Sequence, residues 1–156
     1  MNSKIKFRGK SCTTGQWAAG FLKVANENKM GVFGKIYNRE EGRVTTLVDG
    51  NTIGISTNAT DSHGVEIFEG DILRALTKNN DGTRPKALVM FDLYTGFQIK
   101  IERSGTVAEF STIVKDGCAY KVEIIGNIHD NPKLWKGGPF CGKPLYEKNE
   151  EEGGKQ

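Results

Sequence analysis

Residues 65–76 read VEIFEGDILRAL, and the fold turns on how this stretch is understood. Val65, Ile67, Ile72 and Leu73 supply apolar contacts, and Glu69-Gly70-Asp71 interrupts them. A tight turn or bulge is predicted at Gly70, because glycine takes positive φ without steric cost. The carboxylates of Glu69 and Asp71 then serve that turn, the aspartate accepting backbone N–H bonds, in preference to acid–base chemistry.

Working outward, the same grammar recurs. Downstream, KNNDGTR at 78–84 carries the Asp-Gly pair that hairpin tips favour. Pro85 cannot sit in a central ladder, so the next strand begins with KALVMFD at Lys86. FQIKIE at 97–102 and AYKVEIIG at 119–126 alternate like strands. Gly126, Asn127, Asn131 and Pro132, within GNIHDNP, predict a turn at a strand end, and Leu134 and Trp135 follow as a last apolar anchor. Upstream, KIKFR at 4–8 alternates strictly, with Ile5 and Phe7 on the buried face. WAAGFLKV at 17–24, VFGKIY at 32–37, RVTTLV at 43–48 and TIGIS at 52–56 are each rich in aromatic or β-branched residues and bounded by turn formers. The polar run TNATDSHG at 57–64 is expected to be a loop with its own Asx turns. In GTVAEFSTIV at 105–114, Val107, Phe110 and Val114 are spaced by three and four, which leaves a short helix and a strand both open.

Short strands spaced this way predict a mainly β small barrel or sandwich with little helix. The 156 residues fit one domain with a tail, and the 20 glycines suit a chain of many turns. Net charge is +3, too mild to mark a dedicated nucleic-acid domain. Cys12, Cys118 and Cys141 are odd in number and far apart, so neither a disulfide framework nor a thiolate zinc site is written here. The start of the chain lacks the apolar region of a signal peptide, and no apolar run approaches the roughly 20 residues of a membrane span. A reducing cytoplasm is the expected compartment. The end is acidic, with Glu147, Glu150, Glu151 and Glu152, and disorder is expected from about residue 147 onward.

Lys4, Lys6, Arg8 and Lys10 form the strongest functional candidate. A spacing of two residues along a strand is near 6.8 Å, about one phosphate step of a nucleic-acid strand. Lysines on an exposed strand face equally serve to block edge-to-edge association. His63 and His129 are the only imidazoles, and no local motif supplies either with a nucleophile and an orienting group, although Asp61, Ser62 and His63 are adjacent. Asp61, His63 and Glu66 lack the spacing of a known metal site. Gly137, Gly138 and Gly142 follow no strand and open no helix, so they form no phosphate loop. Trp17, Phe21 and Trp135 are expected in the core in preference to a stacking surface. No catalytic residue, metal site or cofactor is expected.

Three stretches in order resemble the YopX family of bacteriophage and prophage proteins. They are IKFRGK at 5–10 with Gly15, Trp17, Gly20 and Leu22 as GxWxxGxL; Gly54 through HGVEIFEGDIL to Leu73; and VEIIGNIHDNPKLW at 122–135. The run from Asn58 to His63 departs from the Thr-Gly-Leu-Lys-Asp-like loop usual there. The resemblance implies a β-rich core with a small barrel of Src-homology type over residues 1–136, with 25–50 as an insertion or extra hairpin, and a flexible tail at 137–156. It implies no catalytic residues. The expected function is a non-enzymatic accessory or interaction module in the cytoplasm of a bacterial host. Its partner would be a protein or nucleic acid, with no membrane and with room for a homo-oligomer. The alternatives are nucleic-acid binding through the basic strand, and small-molecule binding, which requires a pocket with convergent polar groups.

Overall fold

Alternating apolar residues become strands through most of the chain. The computed structural model describes residues 5–28, 31–38 and 44–138; Lys4, Cys141, Gly142 and the acidic stretch of the tail lie outside them. The strands are β1 (Phe7–Lys10), β2 (Trp17–Asn28), β3 (Gly31–Asn38), β4 (Val44–Asp49), β5 (Gly54–Thr60), β6 (Glu66–Phe68), β7 (Asp71–Ala75), β8 (Lys86–Asp92), β9 (Gly96–Ile101), β10 (Val107–Glu109), β11 (Val114–Lys115), β12 (Cys118–Ala119) and β13 (Val122–Asn127). Three 3-10 turns and no α-helix complete the described residues. No helix among them is long and apolar enough to cross a membrane.

Two sheets result. The first runs β11-β12-β5-β1-β2-β3-β4, with β6 also paired to β5. It curls until β4 returns to the end of β1, where Ser11 bridges Val48 and the Cys12 N–H donates to Leu47 O at 3.0 Å. Of residues 25–50, the described ones continue this sheet as the second half of β2, then β3 and β4. The second sheet runs β10-β9-β8-β7-β13: a meander from β7 to β10, with β13 returning beside β7.

Because side chains alternate along a strand, the second sheet is packed on both faces. Leu73, Val89 and Ile99 point into one core with Ile67, Ala59, Phe110 and Ala119. Ile72, Leu88 and Met90 point the other way, beneath Trp135. Each fully buried Ile or Leu contributes about 1.5–3 kcal/mol. The segment that covers the second core is fastened to the sheet at two points, Lys86 Nζ donating to Leu134 O at 2.5 Å and the Lys136 N–H to Glu102 Oε1 at 2.7 Å, and Trp135 Nε1 donates within the segment to Gly138 O at 3.1 Å.

Three local expectations change. The first strand sits at 7–10 instead of 4–8, because its ladder with β2 spans Phe7 to Lys10; Ile5, expected inside, is exposed. Thr57–Thr60, expected in a loop, belongs to β5. There the Thr57 hydroxyl donates to Ile67 O at 2.8 Å, Asn58 takes φ 58° at an irregularity, and Thr60 pairs with Glu66 and Cys118. The open question at 105–114 resolves into a strand, a 3-10 turn over Phe110–Ile113 and a second strand. A 3-10 turn brings i and i+3 into line, and this one buries only Phe110.

Candidate functional site

The cations of β1 meet acids from distant parts of the chain. Arg8 reaches from the first sheet to the second, where Nη2 donates to Asp71 Oδ1 at 2.6 Å and, weakly, to Glu69 O at 3.4 Å. Its guanidinium carbon lies 4.6 Å from the Trp17 ring centre and 4.9 Å from that of Phe68, both within cation–π range. Arg8 Nε is buried with no hydrogen-bond partner among the described residues, so the rings make up part of what the donor lacks.

Asp71 is 1% exposed and also accepts the Phe68 N–H at 2.8 Å. Burial pushes its carboxyl above the usual range, against the pull of Arg8 and of the Phe68 N–H. Gly70 makes this approach feasible: at φ +87° any other residue would be strained, and its N–H donates to Val89 O while its carbonyl accepts from the Ile128 N–H. Glu69 is half-buried, with Oε2 3.4 Å from the Ile55 N–H. Burial pushes its carboxyl up to about 7, opposed by that N–H and by Arg8.

The turn after β13 supplies the other half. Asn127 Oδ1 accepts the N–H groups of His129 and Asp130 at 3.0 and 2.9 Å, and Asn131 Oδ1 accepts the Asn127 N–H at 3.3 Å. A Cβ on Gly126 would lie 2.5 Å from Asn131 Oδ1, so only glycine lets the chain fold back this closely. Pro132 opens the 3-10 turn that follows. Held this way, Asp130 accepts from Lys10 Nζ at 2.5 Å and from Trp17 Nε1 at 2.7 Å. Those bonds, with one from Asn127, bring its carboxyl down to about 2. His129 is half-buried with its ring 6.0 Å from that of Trp17. Burial and the nearby Arg8 lower its pKa, against Asp130 and Asp49.

The result is a polar seam between the sheets. Arg8, Lys10 and Trp17 come from the first; Asp71 and Asp130 come from the second. Of the residues predicted to form turns, Glu69 and Gly70 lie in the turn before β7, which Asp71 opens; Gly126 and Asn127 end β13, and Asn131 and Pro132 follow in the turn after it. Lys6 stands apart, 3.1 Å from Glu66 Oε2, and the Ser56 hydroxyl donates to the other oxygen of that carboxylate at 2.6 Å. Lys6, Arg8 and Lys10 thus each carry a carboxylate. Trp17, expected in the core, is half-buried and faces Arg8. In sequence Asp130 reads only as part of the GNIHDNP turn, and its bonds to Trp17 and Lys10 are not foreseen; the only hint is that one motif holds a tryptophan and another holds Asp130 just before Asn131-Pro132.

Asp61 and His63 form a separate arrangement. Asp61 is 3% exposed; Oδ1 accepts the His63 and Val65 N–H groups at 2.8 and 3.0 Å, and Oδ2 accepts the Ile124 N–H at 3.1 Å. Burial works against ionisation, yet the three N–H bonds together hold this carboxyl below its ordinary value. It ties the end of β5 to β13. The His63 ring is 3.9 Å from Asp61, beyond hydrogen-bond range, and largely exposed, while the Ser62 hydroxyl accepts the Val122 N–H.

These features define a class: a mainly β, two-sheet protein whose sheets are fastened by a buried arginine–aspartate pair. The chain belongs to the YopX family; the family model described as YopX protein matches residues 6–136. Among solved structures it is similar to the crystal structure of protein EF1440 from Enterococcus faecalis, at 26% identity over 84% of this chain and 97% of that chain, with a TM-score of 0.48. No curated protein matches it.

Proposed function

We propose that this chain is a non-enzymatic binding module of a phage or prophage, acting in the cytoplasm of the bacterial host and recognising a protein partner through its outer surface. The observation that carries this reading is the hairpin tip between β8 and β9, where Leu93 is 81% and Tyr94 97% exposed. Two large apolar side chains held in water on one turn are what an interface anchor needs. The tip is preformed. Asp92 Oδ1 accepts the Tyr94 and Thr95 N–H groups at 2.8 and 3.1 Å and the Thr95 hydroxyl at 3.2 Å, and Gly96 closes the turn at φ +76°. An ordered tip loses less entropy on binding.

The finer fold reading, a small barrel of Src-homology type, draws support from the second sheet. What supports it is a meander from β7 to β10, a 3-10 turn over Phe110–Ile113 and a last strand, β13, that returns beside β7. The rival functional reading, phosphate contact by Lys4, Lys6, Arg8 and Lys10, requires phosphates to displace Glu66, Asp71 and Asp130 from their cations.

A photo-crosslinking amino acid in place of Leu93, in cells carrying the element, tests the proposal. A discrete protein adduct is expected, and Tyr94→Ser should abolish it without changing the melting temperature. No adduct, or one indifferent to Tyr94→Ser, counts against it.

A further inference from the structure

In the first sheet, β2, β3 and β4 divide their side chains between two faces. Leu22, Ile36 and Val48 point inward, and Gly34 lies among them, where an added Cβ would meet Ile53, Leu22 and Val48. By alternation Phe21, Lys35, Tyr37 and Leu47 point outward. The register sets Phe21 opposite Tyr37 and Lys35 opposite Leu47. Phe21, expected in the core, is half-buried, as is Tyr37, and neither ring is among the apolar side chains packed on the two buried clusters.

Both rings are open to approach. Ala19, two residues before Phe21, and Thr45, opposite Tyr37, are small and exposed. Over the Tyr37 ring lies the ammonium of Lys23, 4.8 Å from its centre, so the π face of this tyrosine is turned to a polar group and not to the protein's own apolar side chains. The charges here differ from those of β1: neither Lys23 nor Lys35 has a carboxylate partner among the described residues. Asp49, at the far end of β4, is occupied in accepting the Asn51 N–H at 3.0 Å. Uncommitted cations beside two adjacent aromatic rings suit a ligand that alternates negative charge with flat rings.

We infer that this outer face binds single-stranded nucleic acid, with bases stacked on Phe21 and Tyr37 and phosphates on Lys23 and Lys35. Directly opposed residues of an antiparallel pair hold their Cβ atoms about 4.5–5.5 Å apart, so successive bases can rest one on each ring. A base that takes the face of Tyr37 displaces Lys23, whose freed ammonium then turns to the neighbouring phosphate. Every base has a π face, so a platform of this kind is tolerant of sequence. The inference is separate from the protein-partner reading, because Leu93 and Tyr94 lie between β8 and β9 of the second sheet.

The test uses the full chain at low salt, with fluorescence anisotropy against a labelled oligothymidylate in one arm and a labelled oligouridylate in the other. Saturable binding is expected in one arm at least, and a preference between the arms tells DNA from RNA. Tyr37→Leu, which keeps apolar bulk and removes the ring, should weaken binding about fivefold or more. Lys35→Ala, at an exposed position, should lower the slope of log affinity against log salt by about 0.7, and Tyr94→Ser should change nothing. Melting temperatures show which variants are folded; should Tyr37→Leu lose its fold, Lys35→Ala decides. Absence of saturable binding in both arms, or binding by folded variants that is indifferent to Tyr37→Leu or to Lys35→Ala, overturns the inference.

Discussion

Two groups of cations divide this molecule. At the seam, Arg8 and Lys10 meet Asp71 and Asp130 across the join between sheets, and the Arg8–Asp71 pair is largely removed from water. On the loops that follow β7 and β9, Arg84 and Arg103 stand 38% and 76% exposed. The same residue type fastens the fold in one place and faces solvent in the other. The difference lies in what each charge would leave behind if removed. A buried carboxylate deprived of its partner is a large penalty, whereas an exposed one is resolvated at little cost.

That contrast can be broken most directly at Arg8. Arg8→Ala strands Asp71 in the interior and should cost about 3–5 kcal/mol, read from urea unfolding at neutral pH. A loss below about 1 kcal/mol would place the pair among ordinary surface contacts. Glu69 sharpens the comparison through pH. Its folded carboxyl titrates at about 7 against an ordinary 4.5, so the folded chain holds a proton that the unfolded chain has released. Stability from this group is therefore complete below about 4.5 and declines as pH rises to about 7. The decline should be on the order of 1–3 kcal/mol, and Glu69→Gln should flatten that part of the profile and raise stability at pH above it. A slope that survives Glu69→Gln would assign the titration elsewhere. The smallest effect belongs to the loops, where Arg103 pairs with Asp81. Arg103→Ala removes a fully exposed ion pair and should leave the unfolding midpoint unchanged; a clear shift would mean that the two loops depend on that clasp.

Much of the fold was legible because glycine and alternation are local signals. Gly70 marks its turn, and the Asp-Gly at Asp81-Gly82 marks a hairpin tip, with Gly82 at φ +80°. The seam was half legible. The turn-forming roles of Asp71 and Asn127 follow from what sits beside them, but the partners of the basic strand do not. Lys6 meets an acid 60 residues away, Arg8 one 63 away and Lys10 one 120 away. Periodicity along β1 shows that cations share a face and is silent on what faces them. Trp17 misled for the same reason: its neighbours are apolar in sequence, while in space it lies against Arg8 and donates to Asp130. The stretch from Thr57 to Thr60 is polar enough to suggest a loop, yet its ladder partners are supplied by β6 and β12, which local composition cannot reveal.

The cover over Ile72, Leu88 and Met90 comes from the stretch around Trp135, long after those residues in the chain. During synthesis, at roughly 5–20 residues per second, the meander emerges from the ribosome with one oily face bare. It stays bare until the tryptophan is out. For that interval the nascent polypeptide offers chaperones a hydrophobic target that the finished protein hides, and a ribosome stalled short of this point would hold an aggregation-prone intermediate.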